Sequence, residues 1–120
     1  MMGSMTSDGY EFDASREAAI VTLRGELDAH DAPRLRELFS QAVEELSSAR
    51  EPRLVLDLAA LEFLDSTVLG TMIGALRRVR EAGGEMTVVL PETMARRIFE
   101  VTGLDQVLDV RVSRAAALDG

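Results

Sequence analysis

A run of apolar residues in the middle of the chain, followed closely by an amphipathic stretch, constrains the fold more than any other feature. The run Leu54-Val55-Leu56-Asp57-Leu58 is almost continuously apolar, which is typical of a strand buried in a parallel sheet. From residue 67 to about residue 81, apolar residues return at helical spacing, with arginines between them. A buried strand followed by a helix favours an α/β architecture, in which helices pack against a largely parallel sheet.

The rest of the chain alternates in the same way. Predicted strands cover residues 10–13, 19–24, 53–58, 85–90 and 107–112. Predicted helices cover residues 32–48, 67–81, 93–101 and 114–118. We expect Gly25 to close an N-terminal hairpin, Asp31 to cap the first helix, and residues 59–64 to form a short connection. The predicted fold is a single α/β domain of order β-β-α-β-α-β-α-β-α, a mixed and mostly parallel sheet of about four to five strands with about four helices.

The composition restricts where and how such a domain acts. A chain of 120 residues, 47% hydrophobic and 28% charged, predicts one folded domain, which we place at residues 10–118. Residues 1–9 have the character of a disordered N-terminus or a start-site remnant. No apolar run approaches the ~20 residues needed to span a bilayer, and no secretion signal is recognisable. We therefore expect a cytoplasmic protein.

The reactive side chains are few. The chain has no cysteine and one histidine, His30, and no Gly-x-Ser-x-Gly motif accompanies that histidine. Thiol chemistry is excluded, and a catalytic triad or a histidine metal site is disfavoured. We expect no enzymatic activity, no metal and no cofactor. A formal net charge of −8 disfavours nucleic acid as a partner and favours a basic protein surface.

Two polar features could carry a function: the single residue Asp57 and the segment Asp65-Ser66-Thr67. Asp57, in the apolar run, resembles the phosphoacceptor aspartate of two-component receiver domains. The chain has no lysine and no acidic pair after its first strands, both of which a receiver needs, so we expect Asp57 only to accept nearby backbone amides. Asp65-Ser66-Thr67 follows, at the predicted start of the second helix. Ser66 there is either a helix cap or a phosphorylation site, since a helix N-terminus partly stabilises a phosphoryl group.

A family resemblance distinguishes between these interpretations. Residues 63–70 (FLDSTVLG), together with the strand 54–58, resemble the signature of STAS-domain anti-sigma factor antagonists. Further matches are 25–28 (GELD), 77–84 (RRVREAGG) and 98–104 (IFEVTGL), and the resemblance covers about residues 10–118 in order. The resemblance implies phosphorylation at Ser66, with Thr67 as the second choice, and a partner-binding surface made of Asp28, Asp65, Ser66, Thr67 and Val68.

The resemblance also implies the partners. The unmodified antagonist binds an anti-sigma factor that is also a serine kinase and so frees a sigma factor, and the phosphorylated form does not bind. A PP2C-type phosphatase restores the active form. Val68 stands where members of the family usually have glycine, and a β-branched residue there is stiffer and bulkier. This departure favours an alternative: a STAS scaffold or small-ligand-binding subunit of a stress-sensing or lipid-transport assembly, without a phosphorylation switch.

Overall fold

The computed structural model describes residues 9–13, 17–90, 94–103, 106, 108–111 and 113–119. The strands are β1 Gly9–Asp13, β2 Ala18–Leu27, β3 Arg53–Leu64, β4 Glu85–Val89 and β5 Asp109–Arg111. The helices are α1 Ala32–Glu45, α2 Ser66–Glu81, α3 Met94–Thr102 and α4 Arg114–Asp119, and 3₁₀ turns flank α1 at Ala29–Asp31 and Leu46–Ser48. The predicted order is confirmed. Residues 1–8, 14–16 and 91–93, together with residues 107 and 112 of the last predicted strand, lie outside the described residues.

The strands form one sheet in the order β1-β2-β3-β4-β5. β1 and β2 are antiparallel, whereas β2, β3, β4 and β5 run parallel to one another, so the predicted mixed and mostly parallel sheet is confirmed. β3 lies in the centre, as its apolar sequence requires. The helices between parallel strands make the crossovers that such a sheet needs.

The second and third strands are longer than predicted. β2 continues through Gly25 to Leu27, so Gly25 does not close the hairpin. Residues 59–64 are not a connection but the second half of β3, paired with the end of β2. Twice along this pairing the register shifts and β3 takes one residue more than β2, between Asp57 and Ala60 and again between Leu61 and Phe63. These are β-bulges.

The two bulges explain why residues 59–64 lack the residue pattern of a strand. In a regular strand, side chains alternate between faces, so residues on one face are two apart. The side chains of β3 that join the main core are those of Leu54, Leu56, Leu58, Leu61 and Leu64. The intervals from Leu58 to Leu61 and from Leu61 to Leu64 are three residues instead of two, because each interval spans a bulge. At the first bulge the amide of Ala59 donates to Asp57 Oδ1 at 3.1 Å, which is the local role expected of Asp57, although the strand does not end there.

The helices cover the two faces of the sheet unequally. α1 and α2 contribute Leu35, Phe39, Met72 and Val79 to the main core. The opposite face carries a smaller cluster of Ile20, Val55 and Val89, covered by Ala117 of α4. No helix among the described residues is long and apolar enough to cross a membrane. The main core is therefore built around β3 and its two neighbouring crossover helices, and both of those helices begin at one end of the sheet.

Candidate functional site

The candidate site lies where β2 and β3 end side by side. Leu27 and Leu64, the last residues of the two strands, are paired, and the amide of Asp65 donates to the carbonyl oxygen of Leu27 at 3.3 Å. Asp28 and Asp65 follow these two strand ends directly, so the structure places them at the same edge of the sheet. The carboxyl ends of parallel strands are the usual place for functional groups in α/β folds.

Asp28 and Asp31 hold the turn that leads into α1. Asp28 Oδ1 accepts from the amide of His30 at 2.9 Å, and Asp31 Oδ2 accepts from the amide of Asp28 at 2.8 Å. Asp31 is the N-cap residue of α1, as predicted, but its side chain makes no hydrogen bond to that helix and forms a capping box with Asp28 instead. The box fixes the backbone at residue 28 while its side chain stays 59% exposed.

Asp65, and not Ser66, caps α2. Asp65 has extended backbone angles, and its Oδ1 accepts from the amide of Val68 at 3.0 Å. Ser66 is the first helical residue and is exposed, as is Thr67 after it. Within the described part of the chain, the hydroxyl of Ser66 forms no hydrogen bond. The interpretation of Ser66 as the cap is therefore wrong, and its hydroxyl is left available at the surface.

The side chain of Val68 does not lie on this surface. It is fully buried and belongs to the main core. The expectation that Val68 is part of the partner-binding surface is corrected: the residue is buried, and its amide is already bound by Asp65 Oδ1. Valine in place of glycine is explained by packing, because its side chain fills space under the first turn of α2.

Carboxylates dominate the charge around the site. Asp28, Asp31 and Asp65 lie at the two strand ends, and Glu26 and Glu62 are exposed on the neighbouring parts of β2 and β3. Among the described residues, no three acidic or histidine side chains are grouped closely enough to hold a metal ion. The side chains of Asp28, Asp31 and Asp65 lie beside the exposed hydroxyl of Ser66, and we call these three carboxylates the acidic rim.

Two further side chains define the surroundings. The single histidine is 96% exposed, and its Nδ1 lies 3.5 Å from Asp28 Oδ1. Phe63 is 47% exposed, two residues before Asp65, and the sequence pattern did not single it out. Its exposure follows from the second bulge of β3, which could be found only from the pairing with β2. The absence of enzymatic activity stays a prediction.

The fold and the site together define an α/β domain with an exposed serine at the start of a crossover helix and acidic residues beside it. The chain belongs to the STAS domain family, whose model matches residues 10–117. It is 30% identical over 108 residues to the anti-sigma F factor antagonist of Paenibacillus polymyxa, covering 90% of each chain. It is 30% identical over 90 residues to the anti-sigma-B factor antagonist of Bacillus subtilis, covering 75% of this chain and 78% of the relative.

A solved structure shows the same fold. An anti-sigma factor antagonist from Mycobacterium paratuberculosis superposes with a TM-score of 0.77 and 26% sequence identity, over 98% of this chain and 97% of that one. The similarity thus extends over the full domain and includes both strands and the helix that form the candidate site.

Proposed function

We propose that this protein is an anti-sigma factor antagonist controlled by phosphorylation of Ser66. The unmodified form binds an anti-sigma factor with serine kinase activity and thereby frees a sigma factor. Phosphorylation ends the binding, and a PP2C-type phosphatase restores it. The names of the curated relatives support the antagonist role. Since sigma factors act on RNA polymerase, we expect the protein in the cytoplasm.

The observation that carries the proposal is the division of roles between Asp65 and Ser66. Asp65 supplies the capping oxygen, so the Ser66 hydroxyl is exposed and has no structural hydrogen bond among the described residues. A kinase can therefore reach it, and modification removes no contact that the fold uses. The helix N-terminus stabilises the new negative charge by ~0.3–1 kcal/mol, which further protects the fold.

The effect on binding follows from charge. A phosphoryl group adds about −1.5 to −2 charges to a surface that already carries the acidic rim. The unmodified rim suits a basic patch on the partner, and the added group occupies the contact surface itself. Burying that group in the contact, beside the carboxylates of the rim on the same surface, costs desolvation and like-charge repulsion. A strong loss of affinity with little change in the fold is therefore expected.

Thr67 is the second possible acceptor. It is exposed and lies next to Ser66, but it faces the groove between α1 and α2 rather than standing at the first helical position. Mapping the modified residue distinguishes the two hydroxyls.

The test uses the purified protein, ATP and the serine-kinase anti-sigma factors of the organism that encodes this chain. We expect intact mass to rise by one phosphoryl group, located on Ser66, and binding to be lost. Ser66→Ala should stay bound in the presence of ATP, and Ser66→Asp should bind at least tenfold more weakly. Ser48→Asp, a charge change at an exposed serine of the 3₁₀ turn that follows α1, is the matched control and should bind like the wild type. Absence of phosphate on both Ser66 and Thr67 would contradict the switch.

The alternative of a STAS scaffold without a switch depended on Val68. Because burial in the core accounts for that valine, the residue no longer favours the alternative. Recovery of transporter components, and of no kinase, in a pull-down with the wild-type protein would support the scaffold alternative.

A further inference from the structure

A groove runs between α1 and α2, beginning next to the candidate phosphorylation site. Its volume is about 370 Å³, and Thr67 lines one end of it. The floor is apolar, made by the buried Phe39 and Ala75. Arg36 from α1 and Arg78 from α2 stand at its sides, and both are exposed. The groove thus combines an apolar floor with two cations.

Two glycines of α2, Gly70 and Gly74, line the same groove. Glycine is among the least favourable residues in a helix interior, so a folding reason for it would be a neighbour that leaves no room for a side chain. No such neighbour exists here: a Cβ atom built at either position has nothing within 4 Å. The fold itself does not need these glycines, and their effect is to keep the groove open.

The arginines are also unused by the fold. In the part of the chain that the structure describes, neither Arg36 nor Arg78 forms a hydrogen bond or an ion pair. By contrast, Arg80 of the same helix is paired with Glu85 at 3.5 Å. Two free guanidinium groups over a groove, in a chain of net charge −8, form a local site of positive charge. Guanidinium groups bind carboxylates with two parallel hydrogen bonds.

We infer that this groove receives an acidic segment of the protein partner that binds the Ser66 surface. The inference rests on the proposed function, because it assigns a second contact to that same partner. Carboxylates of the segment pair with Arg36 and Arg78, while its backbone approaches α2 over Gly70 and Gly74. Since Thr67 borders both surfaces, the groove is continuous with the Ser66 site.

A protein segment fits the groove better than a small molecule does. Small-molecule sites enclose most of the ligand, whereas here Arg36, Arg78 and Gly70 are all exposed and the groove is open along its length. The signs of charge also form a pattern: the acidic rim lies at the start of α2, whereas Arg78 lies about three turns further along that helix and Arg36 lies across the groove on α1. A partner with basic and acidic surfaces in the matching order is held in one orientation, which is what electrostatic complementarity at an interface supplies.

The test uses the serine-kinase anti-sigma factor that binds the wild-type protein. Its affinity for each variant is measured under conditions in which ATP is not hydrolysed. Arg36→Glu combined with Arg78→Glu should weaken binding at least tenfold and reduce its dependence on salt. Gly74→Leu, which fills the groove, should also weaken it at least tenfold. Arg77→Glu makes the same charge change one residue away on α2, outside this groove, and is the matched control, expected within twofold of the wild type. Circular dichroism checks that each variant is folded.

A photo-cross-linking amino acid at Thr71, which also lines the groove, identifies the occupant. We expect the cross-linked peptide of the partner to contain more acidic than basic residues, and replacement of its acidic residues by arginine to restore binding to the Arg36→Glu/Arg78→Glu variant. A basic or neutral peptide would overturn the inference.

Other results separate this inference from the proposed function. If no anti-sigma factor binds the wild-type protein, the proposed function fails. If one binds and responds to Ser66→Asp but not to the double arginine variant, only the groove is wrong. If inorganic phosphate causes chemical-shift changes in the wild type that the double arginine variant loses, while both proteins bind the partner equally well, the groove is a small-anion site and the inference is overturned. If the double arginine variant differs from the wild type only in self-association, measured by sedimentation, the groove binds a second copy of the chain and the inference is also overturned.

Discussion

The carboxylate of Asp65 accepts the amide of Val68 at 3.0 Å, so the residue before Ser66 closes the first turn of α2. Val68 then turns its side chain into the core, where it is fully buried. One turn of helix is thus fixed from both sides, by a capping hydrogen bond outside and by packing inside. Ser66 lies between these two residues and takes part in neither interaction.

Replacing Asp65 should therefore affect stability more than replacing Ser66. We expect Asp65→Ala to lower the free energy of unfolding by ~1 kcal/mol, because the amide of Val68 loses its acceptor. Ser66→Ala should change it by less than ~0.5 kcal/mol, since the residue is exposed. Urea denaturation followed by circular dichroism measures both. A larger loss for Ser66→Ala than for Asp65→Ala would mean that the serine is the cap after all.

Val68→Gly, which creates the residue usual in the family, should destabilise this chain. It removes a fully buried side chain and places glycine in the first turn, and together these effects should cost ~3 kcal/mol. Val68→Ala should cost less, since only the cavity contributes. The measurement is again chemical denaturation, with phosphorylation of the folded fraction as a second readout. A Val68→Gly protein as stable as the wild type would show that the core does not use this side chain.

The glycines of the chain should respond differently to alanine. A Cβ atom at Gly84 would overlap the carbonyl oxygen of Pro52, where the backbones of the two segments meet. Gly84→Ala should cost ~2 kcal/mol or more, because two backbone segments must move apart. Gly74→Ala has open space and should stabilise the protein by ~0.5–1 kcal/mol through helix propensity. Thermal denaturation distinguishes the two, and equal melting temperatures would contradict this packing at Gly84.

Arg53 should control how firmly α4 is attached. Its Nη1 donates to the carbonyl oxygens of Ala117 and Leu118 at 3.2 and 3.1 Å, at the end of that short helix. Arg53→Met keeps much of the apolar stem but removes both bonds, and should cost ~1–2 kcal/mol. Amide hydrogen exchange in α4 should become faster than in the wild type, while exchange in α2 should stay the same. Arg77→Met, at an exposed arginine of α2, is the control and should alter neither quantity.

The order of elements could be predicted because it depends on local patterns. Apolar residues at helical spacing and a continuous apolar strand are visible without tertiary information, and the positions of α1, α2 and the start of β3 agreed with the structure. The second half of β3 could not be predicted, since two bulges break the alternation between Leu58 and Leu64. A bulge is defined by the partner strand, and that partner, β2, lies more than thirty residues earlier in the chain.

The sequence alone was sufficient to determine the family and to single out the segment Asp65-Ser66-Thr67, because a motif is a property of residue order. It could not say which of these polar residues accepts the amide of Val68, since capping depends on backbone angles as well as on side-chain type. Nor could it separate an exposed Val68 from a buried one, or bring Arg36 and Arg78 to one groove. Burial and proximity arise when α1 and α2 pack on the sheet. Only the tertiary structure therefore decided that Ser66 is available and Val68 is not.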